Sequence, residues 1–149
     1  MRGAAQAAAT TIAGPSRKSF IALAAGLAAL LLAACGGRPL DFATVQDART
    51  AGVFEQGRLP DVLPASGTLL RVEAEADDGG YFHFSSADYA PMTAKLAPLS
   101  AMPDDPAVQS WIKRKGLAGY AAFEHRTAAA RWLLLCSQPK GRCYVRRLA

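Results

Sequence analysis

Five side chains carry most of the chemistry open to this 149-residue chain: three cysteines and two histidines. Cys35 closes an uncharged apolar run, Phe20–Ala34, behind Leu32-Ala33-Ala34. A cysteine thiolate is nucleophilic enough to form a thioether. The small residues before it fit the cleavage site of an export signal. Cys136 and Cys143 bracket Ser137-Gln138-Pro139-Lys140-Gly141-Arg142. Pro139 and Gly141 are turn residues and the flanking runs are strand-like, so a hairpin sets the two thiols opposite each other. In an oxidising compartment the expected product is a Cys136–Cys143 disulfide. A redox or metal-binding pair is the alternative. The spacing is not Cys-x-x-Cys and no nearby His completes a site, so no metal and no cofactor is expected.

His83 and His125 each have a carboxylate within reach on paper. Glu124 adjoins His125, and Glu73 lies across a strand pair from His83. Either histidine could act as a general base, and Ser85 or Ser86 would complete a His-Ser-acid set. The chain contains no Gly-x-Ser-x-Gly elbow, no His-Glu-x-x-His and no Gly-rich phosphate loop. No catalytic residue is therefore assigned, and a small hydrolase using a histidine stands as the alternative. Tyr81, His83 and Tyr120 form a candidate patch for a ligand or partner.

The segment before Cys35 reads as an address. Arg17 and Lys18 precede the apolar run, and small residues follow it, which is the order of a secretory signal. The run is about fifteen residues, short of the roughly 20 that a spanning helix needs. Leu32-Ala33-Ala34-Cys35 resembles the lipobox of bacterial lipoprotein signals. That resemblance implies a diacylglycerol on the Cys35 thiol, cleavage before Cys35 and acylation of the new amine. The protein would then be held at the membrane through lipid on Cys35, exported to the cell envelope. Each buried methylene adds about 0.8 kcal/mol, and more than one acyl chain makes the anchor stable. Gly36, rather than Asp, after the cysteine resembles lipoprotein sorting signals that are compatible with passage to an outer membrane, facing the periplasm, if the cell has such a membrane. Ordinary export is preferred; Ser16-Arg17-Lys18-Ser19-Phe20-Ile21 also resembles a twin-arginine signal with Lys in the second basic position. The sixteen residues before Arg17 leave open a start later than Met1.

Cys35–Ala149 is one small domain's worth of chain. The full chain carries +5, but Arg2, Arg17 and Lys18 leave with the leader; 14 basic residues then face 12 acidic ones, a net of +2. That excess is too small to argue for nucleic acid. Residues 35–41 are expected to form a short tether and 42–149 the globular domain. Thr44, with Asp47 three residues on, caps a short helix that Gly52 stops. Pro60 and Pro64 forbid a helix through the next run, whose apolar residues suggest a loop packed on the core. Asp47-Ala48-Arg49, Gly52, then Gly57, Leu59-Pro60, Leu63-Pro64 and Ser66 resemble a group of small bacterial proteins, some called YbbD-like head domains. The likeness covers about Phe42 to Phe84 and implies a domain type but no activity.

Leu69–Ala76 alternates, Asp77-Asp78-Gly79-Gly80 turns, and Tyr81–Ser85 returns with Phe82 and Phe84 on one face. Asp88 could cap a short helix reaching Leu96, with Pro91 in its first turn. Asp105 and Pro106 open the clearest helix, with Val108, Trp111 and Ile112 as its apolar stripe. Lys113-Arg114-Lys115 complements the negative end of its dipole, and Gly116 ends it. Three strands follow, Gly119–His125, Arg131–Cys136 and Cys143–Leu148; the second is apolar on both faces and therefore central. The expected fold is a single α+β domain of about five antiparallel strands, with two or three short helices on one face. Its expected role is a lipid-anchored envelope protein that binds or scaffolds, possible partners being other envelope proteins. An inhibitor or immunity-type lipoprotein is a further alternative.

Overall fold

Arg131–Ser137 has Trp132 and Leu134 at even positions and Leu133 and Leu135 at odd ones. A strand places these two sets on opposite faces, so neither face can meet water. The computed structural model, described for residues 38–74 and 79–149, buries all four. They belong to one compact unit, Gly37–Ala149.

The elements run β1 (Leu40–Thr44), α1 (Val45–Thr50), β2 (Thr68–Val72), β3 (Gly80–His83), α2 (Ser86–Thr93), β4 (Ala97–Pro98), α3 (Pro106–Lys115), β5 (Ala121–Arg126), β6 (Arg131–Ser137) and β7 (Arg142–Leu148). Among the described residues the strands form one sheet of seven in the order β1-β2-β3-β7-β6-β5-β4. Every pairing is antiparallel. The strand count exceeds the expected five because both edges were hidden. β1 takes in Leu40 and Asp41, residues expected to belong to the tether. β4 is two residues long and contains Pro98, a residue that a sheet accepts at its edge because it has no N–H to donate.

The helices do not share one face, and this corrects the expected layering. Trp132 and Leu134 lie in a core with Val45 and Ala48 of α1, Met92 of α2, and Val53, Phe54, Leu59 and Leu63 of the loop between α1 and β2. Leu133 and Leu135 lie in a second core with Val108 and Trp111 of α3, Leu117 and Tyr120. The sheet is therefore covered on both sides, because β6 is apolar on both sides. The second core contains no residue of β1, β2 or β3.

Local signals account for the helices. Thr44 and Asp47 form a capping box, with Thr44 N–H donating to Asp47 at 3.1 Å and Asp47 N–H to the Thr44 hydroxyl at 3.0 Å. The N-cap of α2 is Ser85 rather than Asp88, which is its third residue. Both the Ser85 N–H and the Ser85 hydroxyl donate to Asp88, at 3.1 and 2.6 Å. Pro91 stands inside α2, beyond the first turn, and the helix stops two residues later. Asp105 accepts from the N–H groups of Ala107 and Val108 at the head of α3. Gly116, at φ +66°, turns the chain so that the Leu117 N–H reaches the Ile112 carbonyl at 3.0 Å.

The loop between α1 and β2 is packed, as its apolar residues suggested, and one arginine holds it. The Arg49 guanidinium donates to the Asp61 carboxylate at 3.1 Å and to the carbonyls of Asp61 and Leu63 at 2.9 and 3.3 Å. Its charged carbon lies 4.1 Å from the Phe54 ring centroid. Cys136 and Cys143 are directly opposed on β6 and β7 and are joined by a disulfide, buried in the first core. Closing so short a loop contributes about 2 kcal/mol in a chain-entropy account. Arg49→Ala removes three hydrogen bonds and a ring contact together. It should lower unfolding free energy by about 1–3 kcal/mol in urea melts; a loss too small to measure would show that the loop holds itself.

Candidate functional site

Alternation along β3 and β7 decides what faces outward beside the second core. Phe82, Cys143 and Val145 point into the first core. Tyr81, His83, Arg142, Tyr144 and Arg146 must then point the other way. The register pairs Tyr81 with Tyr144 and His83 with Arg142. Their rings and charges meet accordingly. Tyr81 and Tyr144 have centroids 5.4 Å apart, and Tyr81 and His83 6.3 Å. Arg142 donates through Nε to His83 Nε2 at 3.0 Å and through Nη1 to the Tyr144 hydroxyl at 3.3 Å. Its guanidinium carbon lies 5.5 Å from the Tyr81 centroid.

Two of the three residues singled out in the sequence, Tyr81 and His83, are half-buried neighbours on this face. The third, Tyr120, is only 8% exposed and belongs to the second core. It reaches the group through Tyr144, edge to face at 5.9 Å, and carries the Lys140 ammonium 4.9 Å from its own centroid. Tyr144 and Arg142, which link the set, were missed. Alternation about Cys143 puts both its neighbours on the face opposite the disulfide.

β2 completes the face. Arg71 is paired with Tyr81, and Thr68 with His83, across a bulge that inserts an extra residue between them. Leu69, at φ +48°, sits in that bulge and is 61% exposed. His83 therefore opposes Thr68 rather than Arg71 or Glu73. Arg71 pairs with Asp41 at 3.4 Å, and Glu73 with Lys115 at 2.7 Å. The basic triplet at the end of α3 thus contributes an ion pair across the sheet.

The drawn acid-base sets do not assemble. Glu124 and His125 are successive strand residues on opposite faces. His125 is paired with Trp132, while Glu124 is clasped by Arg126 at 2.6 Å and Arg131 at 2.8 Å. Hydrogen bonds from Arg131 and then Arg126 hold the Glu124 carboxyl below its usual range. The Ser85 hydroxyl is spent on Asp88, whose other oxygen accepts from Ser66 at 2.8 Å. No hydrogen bond among the described residues joins His83 to Ser85 or Ser86. No group of three or more His, Cys, Asp or Glu residues among them could hold a metal ion. Nor is any helix there long and apolar enough to cross a membrane. An open hollow of about 620 Å³ beside the end of α3, lined by Gln109, Ile112, Lys113 and Leu117 among others, shares no residue with the tyrosine face. Cys35 lies outside the described residues. Comparisons with protein-family models, curated proteins and solved structures find no match to this chain.

Burial, and then the nearby Arg142 charge, hold the His83 pKa below its ordinary value. The neutral ring is also the form that can accept at Nε2. The unfolded chain binds the proton more readily, so stability rises with pH between the folded value and about 6.5 and is lost below that window. The His83 Cε1–H resonance should titrate with a midpoint below 6.5, and Arg142→Gln should move that midpoint upward. A midpoint at or above 6.5 would contradict the acceptor role.

Proposed function

We propose that this chain is a lipid-anchored envelope protein, attached through Cys35, that acts by binding rather than by chemistry of its own. The observation that carries this reading is the buried Cys136–Cys143 disulfide. Such bonds form and persist outside the reducing cytosol, and the Phe20–Cys35 segment supplies the route there. The binding surface is the face of β3 and β7 around Tyr81, His83, Arg142 and Tyr144. Aromatic rings with polar tips beside a cation are the side chains that recognition surfaces favour. The histidine-hydrolase alternative draws no support from the geometry, since His83 Nε2 accepts from an arginine and no carboxylate among the described residues bonds it. Arg49, Leu59 and Leu63, which are among the residues that resemble YbbD-like head domains, hold the loop in the first core beside α1.

Bacteria expressing the full chain and fed alkyne-palmitate should yield labelled protein in the membrane fraction, and Cys35→Ser should abolish the label. An unlabelled wild type, or label that survives the substitution, would overturn the anchor.

A further inference from the structure

Several basic side chains of the domain are paired with carboxylates. Arg71 has Asp41, Lys115 has Glu73, Arg49 has Asp61, and Arg126 and Arg131 share Glu124. Arg142 is held in another way. Its contacts are His83 Nε2, the Tyr144 hydroxyl and the Tyr81 ring, all of them neutral. No carboxylate among the described residues lies within ion-pair distance of it. A half-buried guanidinium held by three neutral groups is oriented but not neutralised.

We infer that Arg142 is an oxyanion-binding residue, and that the face around it takes a ligand bearing a carboxylate or a phosphate, with an apolar or sugar surface laid against Tyr81. The donors left over define the geometry. Nε and one N–H of Nη1 are engaged by His83 and Tyr144. Both N–H groups of Nη2 and the second on Nη1 remain; with Nε engaged, the edge left for a planar oxyanion is the outer one, which presents one N–H from each terminal nitrogen. The side chain is already fixed by two hydrogen bonds and a ring, so little rotamer freedom is left to lose when the anion arrives. Lys140, held over Tyr120 at 4.9 Å, supplies a second cation at the same end of the β6–β7 hairpin. Carboxylate and phosphate offer the fork the same chemistry, and the structure does not prefer one.

This deepens the reading of the β3–β7 face as a binding surface and rests on it, but not on the lipid anchor. The test uses the full chain in detergent micelles, with arginine side chains labelled with nitrogen-15. Sodium phosphate and sodium acetate are titrated separately, with sodium chloride holding ionic strength constant. A saturable shift of the Arg142 Nε–H and the His83 ring is expected, with half-saturation at about 1–10 mM for a single small anion. Saturation by phosphate alone assigns a phosphate-bearing ligand, and by acetate alone a carboxylate-bearing one; saturation by both supports the shared oxyanion. Arg142→Gln should abolish the His83 shift. Arg142→Lys, which keeps the charge but not the fork, should weaken binding about threefold or more. No saturation by either anion, or binding unchanged in Arg142→Gln with the rest of the spectrum native, would overturn the assignment. Palmitate labelling at Cys35 is indifferent to Arg142, and this titration is indifferent to Cys35, so the two can fail separately.

Discussion

Strand β6 has no polar side. Trp132 and Leu134 require cover on one face, and Leu133 and Leu135 require it on the other. A fully buried leucine contributes about 1.5–3 kcal/mol of transfer free energy relative to exposure. Four large apolar side chains on successive positions therefore make a one-sided sheet untenable. α1, α2 and the packed loop take one face, and α3 takes the other. The disulfide ties β6 to its neighbour from within the first core, where water and reductants have least access.

Cover on the second face is partial, and that partiality creates the candidate site. α3 is only ten residues long, and the core beneath it draws on β5, β6 and β7 but not on β1–β3. Past its edge the same face changes character, from Leu133 and Leu135 to Tyr144, Tyr81, His83 and Arg142. Aromatic side chains with polar tips suit such a margin, because the ring can lean on the core while the hydroxyl or ring nitrogen stays hydrated. Lys115 bridges the margin by reaching Glu73 from the end of α3. The first core anchors the other side of β3 through Phe82, which is wholly buried. The exposed face is thus mounted on a strand that cannot shift without disturbing that core.

Much of this was legible in the sequence where a residue type leaves the chain little choice. Asp105, Pro106 and Gly116 framed α3, and the Thr44–Asp47 pair framed the start of α1. The two-residue alternation separated Phe82 from Tyr81 and His83. What was hidden depends on partners distant in the chain. β1 and β4 are short edge strands that exist only because β2 and β5 offer them a ladder, and Pro98 masks the second. The bulge at Leu69 carries no glycine to announce it, yet it decides that His83 opposes Thr68 rather than a charged residue. The joint roles of Arg142 and Tyr144 needed the register of β3 against β7, strands some sixty residues apart. The layering failed for a plainer reason: two apolar faces on β6 were recognised, but their demand for helices on both sides was not carried through.

Residue-resolved hydrogen exchange tests most directly whether the two cores meet on β6. The amides of Leu133, Leu134 and Leu135 should exchange only through global unfolding, sharing one free energy that matches the urea value, while β1 and β4 open at lower cost. If the β6 amides exchanged as readily as those of the edge strands, or if the two faces lost protection at different free energies, the account of a single strand supporting both cores would be contradicted.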